Sequence, residues 1–310
     1  MKVTYACLRA SRCIELQETD MEPGDDEALV RVSACGICQG DVRQFAREGA
    51  SAERFGHEPV GEVVACGKRV KGLAEGDWVA GAVYGAFATH VVAPASQVYR
   101  VPVEMGDGGC LVEPLKCVTT VVRAAAPDFG DTVLVVGCGF MGLAAICALA
   151  GGWQRQVIAI DPSEPRRCLA STLGATLTLD PSQGDLRPTI DELTDGRGAD
   201  VAIEFSGHPD APGLAGKLLR RRGKLVLGGG HTPRENIYAT ATTIHLVPPA
   251  FSPDQSDDFR RAIDAMARGQ YPVARLISHR FKLSEIQGAF EHAAVASLGY
   301  IKGIVLNDID

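Results

Sequence analysis

The sequence predicts an α/β protein in which a β-rich first domain precedes a doubly wound parallel sheet. Three observations carry that prediction. A glycine-rich turn is set between a strand and a helix, a second strand ending in an acid follows it, and strands alternate with helices from about residue 128 onward.

The turn lies in residues 131–142, DTVLVVGCGFMG. Thr132–Val136 is an apolar, largely β-branched run that reads as a buried parallel strand. Gly137, Gly139 and Gly142 then complete G-x-G-x-x-G. Gly137 permits the tight turn, Gly139 lets the backbone approach a pyrophosphate, and Gly142 allows close packing of helix on strand. Leu143, Ile146 and Leu149, interleaved with alanines, give the following helix a face for the sheet. Residues 157–161, VIAID, form a second strand whose Asp161 comes 19 residues after Gly142, where a ribose-binding carboxylate is expected. Together these mark a Rossmann-type nucleotide-binding domain.

Upstream, residues 27–34 alternate as a half-buried strand does, with Ala28, Val30, Val32 and Ala34 on one face and Leu29, Arg31 and Ser33 on the other. Residues 60–70 and 78–92 read as further strands, broken at Gly67, Gly81 and Gly85, and residues 110–123 as a helix. Downstream of the turn, helices at 165–173, 189–194 and 213–221 alternate with strands at 176–179, 200–206 and 224–228. A loop at 248–253 and an amphipathic helix at 257–268 follow. The tail, 277–310, holds a strand, a helix at 283–293 and a last strand at Gly303–Leu306, and its return to the first domain would make that domain discontinuous. The predicted domains are 1–127 with 270–310, and 128–269.

Composition narrows the function classes. With 46% hydrophobic residues the chain can bury a large core, and its net charge of -7 argues against nucleic acid or an anionic membrane as partner. No segment approaches the roughly 18 uninterrupted apolar residues of a membrane helix. The start, MKVTYACLRASRC, carries charges where a signal peptide needs its apolar core, so a soluble, cytoplasmic protein is expected. In that setting the ten cysteines are thiols, most of them buried as small hydrophobes.

Two clusters carry metal-ligand chemistry: Cys35-Gly36-Ile37-Cys38 with Asp41, and Gly56-His57-Glu58. Thiolate, imidazole and carboxylate are the ligand types of zinc. No second C-x-x-C follows, so a closed four-cysteine site is not expected.

The runs ACGICQGD, FGHEPVGEVVACGKRVKGLAEGDWVAG, LVEPL, VLVVGCGFMG and VIAID, in this order, resemble the zinc-containing medium-chain dehydrogenase/reductase family, above all its sorbitol and threonine dehydrogenase branch. The resemblance implies a GroES-like β-rich catalytic domain joined to the Rossmann domain. It implies a catalytic zinc at Cys38, His57, Glu58 and Glu113, not necessarily all bound at once, with Asp41 orienting the histidine and Cys35 serving as packing. It implies NAD(H) on Gly137, Gly139, Phe140, Met141 and Gly142, with Asp161 at the ribose; a carboxylate there favours NAD over NADP. Arg166 and Arg167 follow closely, either to accommodate a 2′-phosphate or as a solvated helix face.

Departures from the family pattern matter as well. The four-cysteine lobe of a structural zinc has no counterpart between Cys66 and Cys110, so one catalytic zinc and no structural zinc are expected. Gly40 and Arg43 stand where relatives carry a proton-relaying hydroxyl and histidine. Lys116, directly after EPL, is a substitute relay, a substrate anchor or a surface residue. Residues 46–54, AREGASAER, are short and polar and suggest a polar alcohol or ketone substrate in an open pocket. Pairing of copies through residues 242–247 would make a homodimer. The expected activity is zinc-dependent hydride transfer between a secondary alcohol or polyol and NAD. A zinc-free NADPH-dependent quinone or enoyl reductase and a catalytically idle nucleotide-binding protein stay open on sequence grounds.

Overall fold

Residues 1–52, 54–105, 111–232, 241–247, 254–295 and 299–307 are described by a computed structural model. The chain divides into two units. One comprises Met1–Pro114, Ala262–Ala267 and Pro272–Asp310; the other comprises Leu115–Arg261 and Arg268–Tyr271. The boundary thus falls at residue 114, where the sequence placed it at 127.

In chain order the first unit opens with strands β1 (Lys2–Ala10), β2 (Cys13–Asp20) and β3 (Glu27–Gly36), helix α1 (Gln39–Ala46), and strands β4 (Pro59–Cys66), β5 (Trp78–Gly81), β6 (His90–Pro94) and β7 (Val98–Arg100). Helix α2 (Val112–Ala125) leads into β8 (Thr132–Val136), α3 (Phe140–Leu149), β9 (Gln156–Ile160), α4 (Glu164–Leu173), β10 (Leu177–Leu179), α5 (Arg187–Leu193), β11 (Ala199–Glu204), α6 (Ala211–Leu218), β12 (Leu219–Leu227) and β13 (Ala241–Leu246). Helices α7 (Gln255–Ala267) and α8 (Val273–Leu276), strand β14 (His279–Lys282), helix α9 (Ile286–Val295) and strand β15 (Gly303–Leu306) complete it.

The first unit is built on a seven-stranded sheet in the order β14-β15-β3-β4-β5-β7, with β6 paired to β3. The tail does return to it: Ile304, Val305 and Leu306 pair antiparallel with Gly36, Cys35 and Ala34. Hairpin β1-β2 was not foreseen in the sequence. It covers the second face of β3, so that Leu29, read as facing outward, is buried among Val3, Tyr5, Cys7 and Met21. On the other face four phenylalanines interlock, with the Phe290 ring 5.4, 5.3 and 5.4 Å from those of Phe45, Phe55 and Phe87. Edge-on pairs at this distance add to the apolar burial. Phe45 and Phe55 bracket the polar segment 46–54, and their burial pins both its ends.

The second unit carries a six-stranded parallel sheet ordered β10-β9-β8-β11-β12-β13, a doubly wound arrangement with its reversal beside β8. Every residue of β8 is buried, as its unbroken apolar run requires. One reading fails here. Residues 219–221 were assigned to a helix, yet α6 ends at Leu218 and Leu219 pairs with Ala199 at the start of β12. Leu219 is buried, and ladder pairing outweighs the helical preference of the arginines beside it. Strand β4 likewise stops at Cys66, where Gly67 N–H turns to Glu27 O. The loop at 248–253 and Cys110 lie outside the described residues. Among the described residues no helix is long and apolar enough to cross a membrane.

Because Phe290 touches three buried rings, Phe290→Ala should destabilise the first unit by about 3–5 kcal/mol. Urea unfolding followed by circular dichroism measures it, and a loss well below that range would show that the cluster closes over the cavity.

Candidate active site

Helix α1 begins where β3 ends, and its N-cap is Cys38, whose sulfur accepts a hydrogen bond from Gly40 N–H at 3.4 Å. Asp41, in the first turn of α1, is buried and sets Oδ1 3.5 Å from His57 Nδ1. His57 and Glu58 immediately precede β4, and Gly36 N–H donates to Glu58 O across to β3. These local constraints bring Cys38, His57 and Glu58 together, with one ligand atom from each lying within 4.8 Å of the others. Burial works against a charged His57, but hydrogen bonds to Asp41 and Cys38 and the charges of Asp41 and Glu58 outweigh it, pushing its pKa up to about 11. Surplus negative potential of this kind attracts a cation.

Glu58 is held by a residue that the sequence reading missed. Lys302, just ahead of β15, places Nζ 2.6 Å from Glu58 Oε2 and donates an aligned hydrogen bond to Oε1 at 2.9 Å. Burial alone would lower the Lys302 pKa, but the Glu58 carboxylate and the nearby Cys38 hold it above the ordinary lysine value. The pair has room because of Gly36, where a Cβ would come within 2.0 Å of Glu58 Oε2. The one available signal was a lone charge inside the apolar run GYIKGIVL. Cys35 is part of the hydrophobic core, and burial drives its thiol well above the ordinary cysteine range. Glu113 is buried in the first turn of α2 but is not part of the 4.8 Å group.

In the second unit the glycine turn opens a cleft of about 580 Å³ whose walls include Gly137, Gly139, Asp161, Arg166, Ser206 and His208. Gly137 has φ +95°, and a Cβ there would lie 2.5 Å from Ser206 N; a Cβ on Gly142 would lie 1.8 Å from Gly137 O. At Gly139 a Cβ would meet nothing within 4 Å, and no side chain caps the α3 N-terminus behind it. That combination leaves space for an anion against the start of a helix. Asp161, buried at the end of β9, accepts Cys138 N–H at Oδ2 (2.7 Å) and Ser163 N–H at Oδ1 (2.8 Å), tying the fingerprint turn to the loop before α4. Arg167 is turned to Asp161 O and Asp180, whereas Arg166 lines the cleft.

Comparison with known proteins identifies the family. The family described as "Alcohol dehydrogenase GroES-like domain" matches residues 24–103, and "Zinc-binding dehydrogenase" matches residues 141–268. The L-threonine 3-dehydrogenase of Thermococcus kodakarensis is 31% identical over 267 residues, covering 74% of each chain. The chain belongs to the zinc-type medium-chain dehydrogenase/reductase family of the alcohol dehydrogenase superfamily. Another relative, the erythritol/L-threitol dehydrogenase of Mycolicibacterium smegmatis, is 29% identical over 334 residues and covers 91% of each. A solved structure from Sinorhizobium meliloti 1021, described as a zinc-binding dehydrogenase bound to NADP, superposes with a TM-score of 0.86 at 25% identity over 99% of both chains.

Within this medium-chain dehydrogenase the relay positions hold no hydroxyl or imidazole: Gly40 has no side chain and Arg43 is exposed. Lys116 is not the surface residue that one reading allowed. It is 1% exposed in the second unit, with Nζ 5.4 Å from the centre of the Phe259 ring. Replacing Lys302 by Met would strand the Glu58 carboxylate without its counter-charge. Lys302→Met should cost about 3–5 kcal/mol in urea unfolding, with Lys302→Arg, which keeps the counter-charge, losing less; equal stability of wild type and Lys302→Met would show that the ion pair contributes nothing.

Proposed function

We propose that this dehydrogenase interconverts small polar secondary alcohols or polyols and their ketones, with one zinc ion held by Cys38, His57 and Glu58 and with NAD as its preferred hydride carrier. The grouping of these three side chains within 4.8 Å carries the reading, since a zinc-free reductase on the same fold needs no such donor set. Thiolate, imidazole and carboxylate are donors that zinc accepts, and three of them leave a coordination position for an exchangeable ligand. Zinc held there would supply Lewis acidity, lowering the pKa of an alcohol. NAD supplies the ring that takes up hydride.

The chain's own residues do the rest. Asp41 faces His57 Nδ1, fixes the ring and leaves Nε2 for the metal. Lys302 steadies Glu58 and offsets part of the negative charge of the group. In the second unit, Asp161 retains a lone pair on each oxygen after its two backbone hydrogen bonds, enough to accept a ribose 2′-hydroxyl while repelling a 2′-phosphate. Arg166 in the same cleft is the observation that favours NADP as a second reading. The polar segment 46–54 and the substrates named for the threonine and threitol relatives support a polar alcohol. Strand β13 ends the six-stranded sheet with Leu246 exposed, which supports a homodimer paired along that strand.

Cys38→Ser should lose zinc and lower NADH formation by about a hundredfold or more, beyond the ~10- to 100-fold that loss of an outer partner costs, while cofactor binding persists. Full turnover of metal-free Cys38→Ser would sink the reading. For the cofactor, kcat/KM with NAD should exceed that with NADP, and Asp161→Ser should reduce the ratio by about tenfold or more as the like-charge penalty goes; a wild-type preference for NADP would assign the cleft to the phosphorylated cofactor.

A further inference from the structure

Segment 46–54 borders a wide-open recess that shares no lining residue with the grouped Cys38, His57 and Glu58 or with the glycine-turn cleft. It measures about 550 Å³ and is lined by Gln44, Ser51, Ala52, Arg54 and Tyr84. Among the described residues, Arg54 is the one charged group in this lining. Its placement is fixed from two sides. The guanidinium carbon stands 4.8 Å from the centre of the ring of Tyr5, which is itself buried with its hydroxyl on Gln17 Oε1 at 3.0 Å. The stem rests against Gly85, where a Cβ would come 3.2 Å from Arg54 Cβ, and Gly85 and Ala86 N–H both donate to Gly56 O. Among the described residues, Arg54 makes no ion pair and its buried Nε donates to no acceptor; Glu53 lies outside them. Other arginines of the same unit behave differently: Arg31, Arg69 and Arg100 each meet a carboxylate.

We propose that Arg54 anchors a binding site for a small organic oxyanion, a carboxylate or phosphate carried on a short apolar body. A guanidinium offers a planar fork of donors that matches either head group, and it is less costly to desolvate than an ammonium. The Gln44 amide and the Ser51 hydroxyl add neutral hydrogen-bonding groups at the rim, and Ala52 with the Tyr84 ring, 61% exposed, provides an apolar wall. A lone cation in a concave site, on a chain of net charge -7, selects an anion locally rather than by a general basic surface. Helix α1, which carries Asp41, also carries Gln44, and Arg54 stands three residues before His57. The ligand is therefore gripped by the two segments that also bear the metal cluster. The inference does not rest on the hydride-transfer reading, because binding is measured directly.

Isothermal titration of the full chain with benzoate, phenyl phosphate and the neutral benzamide tests it. The site predicts that at least one of the two anions binds with one equivalent per chain and that benzamide does not bind; which anion binds identifies the head group. Arg54→Gln should weaken that binding about ten- to hundredfold, and Arg54→Lys, which keeps the charge without the fork, by less. Gln44→Leu leaves the Tyr5 contact intact and should weaken binding severalfold, so it decides the matter if Arg54→Gln does not fold. Failure of both anions to bind, benzamide binding as tightly, or unchanged affinity in the folded variants would overturn the proposal.

Discussion

The candidate metal cluster depends on one buried ion pair, Glu58 with Lys302. A carboxylate that is 2% exposed, next to Cys38 and Asp41, would be costly to bury alone. Its counter-charge comes from 244 residues further along the chain, carried to the site as β15 adds to β3. The Lys302–Glu58 pair therefore exists only where the tail has returned to β3. Gly36 takes part by having no side chain where the carboxylate lies. The same pair sets the balance of charge around His57: the carboxylates of Asp41 and Glu58 flank it, and Lys302 answers one of the two.

The glycine-turn cleft of the second unit follows a related plan with carboxylates at strand ends. Asp161, after β9, joins two loops by accepting one amide on each oxygen. Glu204, at the end of β11, accepts both N–H and Oγ–H of Ser206 at 2.6 Å, and Ser206 in turn stands against Gly137. Loops on parallel strands have few backbone partners of their own, and buried side-chain acceptors give them a defined shape. Asp161 therefore shapes the cleft and contributes a carboxylate to its lining, which also holds Arg166.

How much of this could be read beforehand depended on sequence distance. The glycine turn and Asp161 were legible from a short pattern whose spacing has a physical meaning, whereas Cys38, Asp41, His57 and Glu58, weak as separate pairs, were singled out through the resemblance to a family. The alternating β3 was legible, but the burial of Leu29 was not, because the covering hairpin shows no cleaner alternation than a polar loop would. Lys302 could not be matched to Glu58 from spacing alone. Lys116 stood open as a relay, a substrate anchor or a surface residue, and its burial beside Phe259, distant in sequence, excludes the last. Arg54 sat in a stretch read as lining an open pocket for a polar substrate, and its position against Tyr5 and Gly85, both distant in sequence, could not be read from spacing.

The central claim, that the thiol, imidazole and carboxylate group of the first unit works with a hydride carrier of the second, is tested most directly by zinc titration of stripped protein. NADH formation from a panel of secondary alcohols and polyols is followed as zinc is restored, with bound metal measured in the same samples. The account predicts no turnover in stripped protein and activity rising in proportion to zinc up to one ion per chain. Turnover that is undiminished in stripped protein would contradict it.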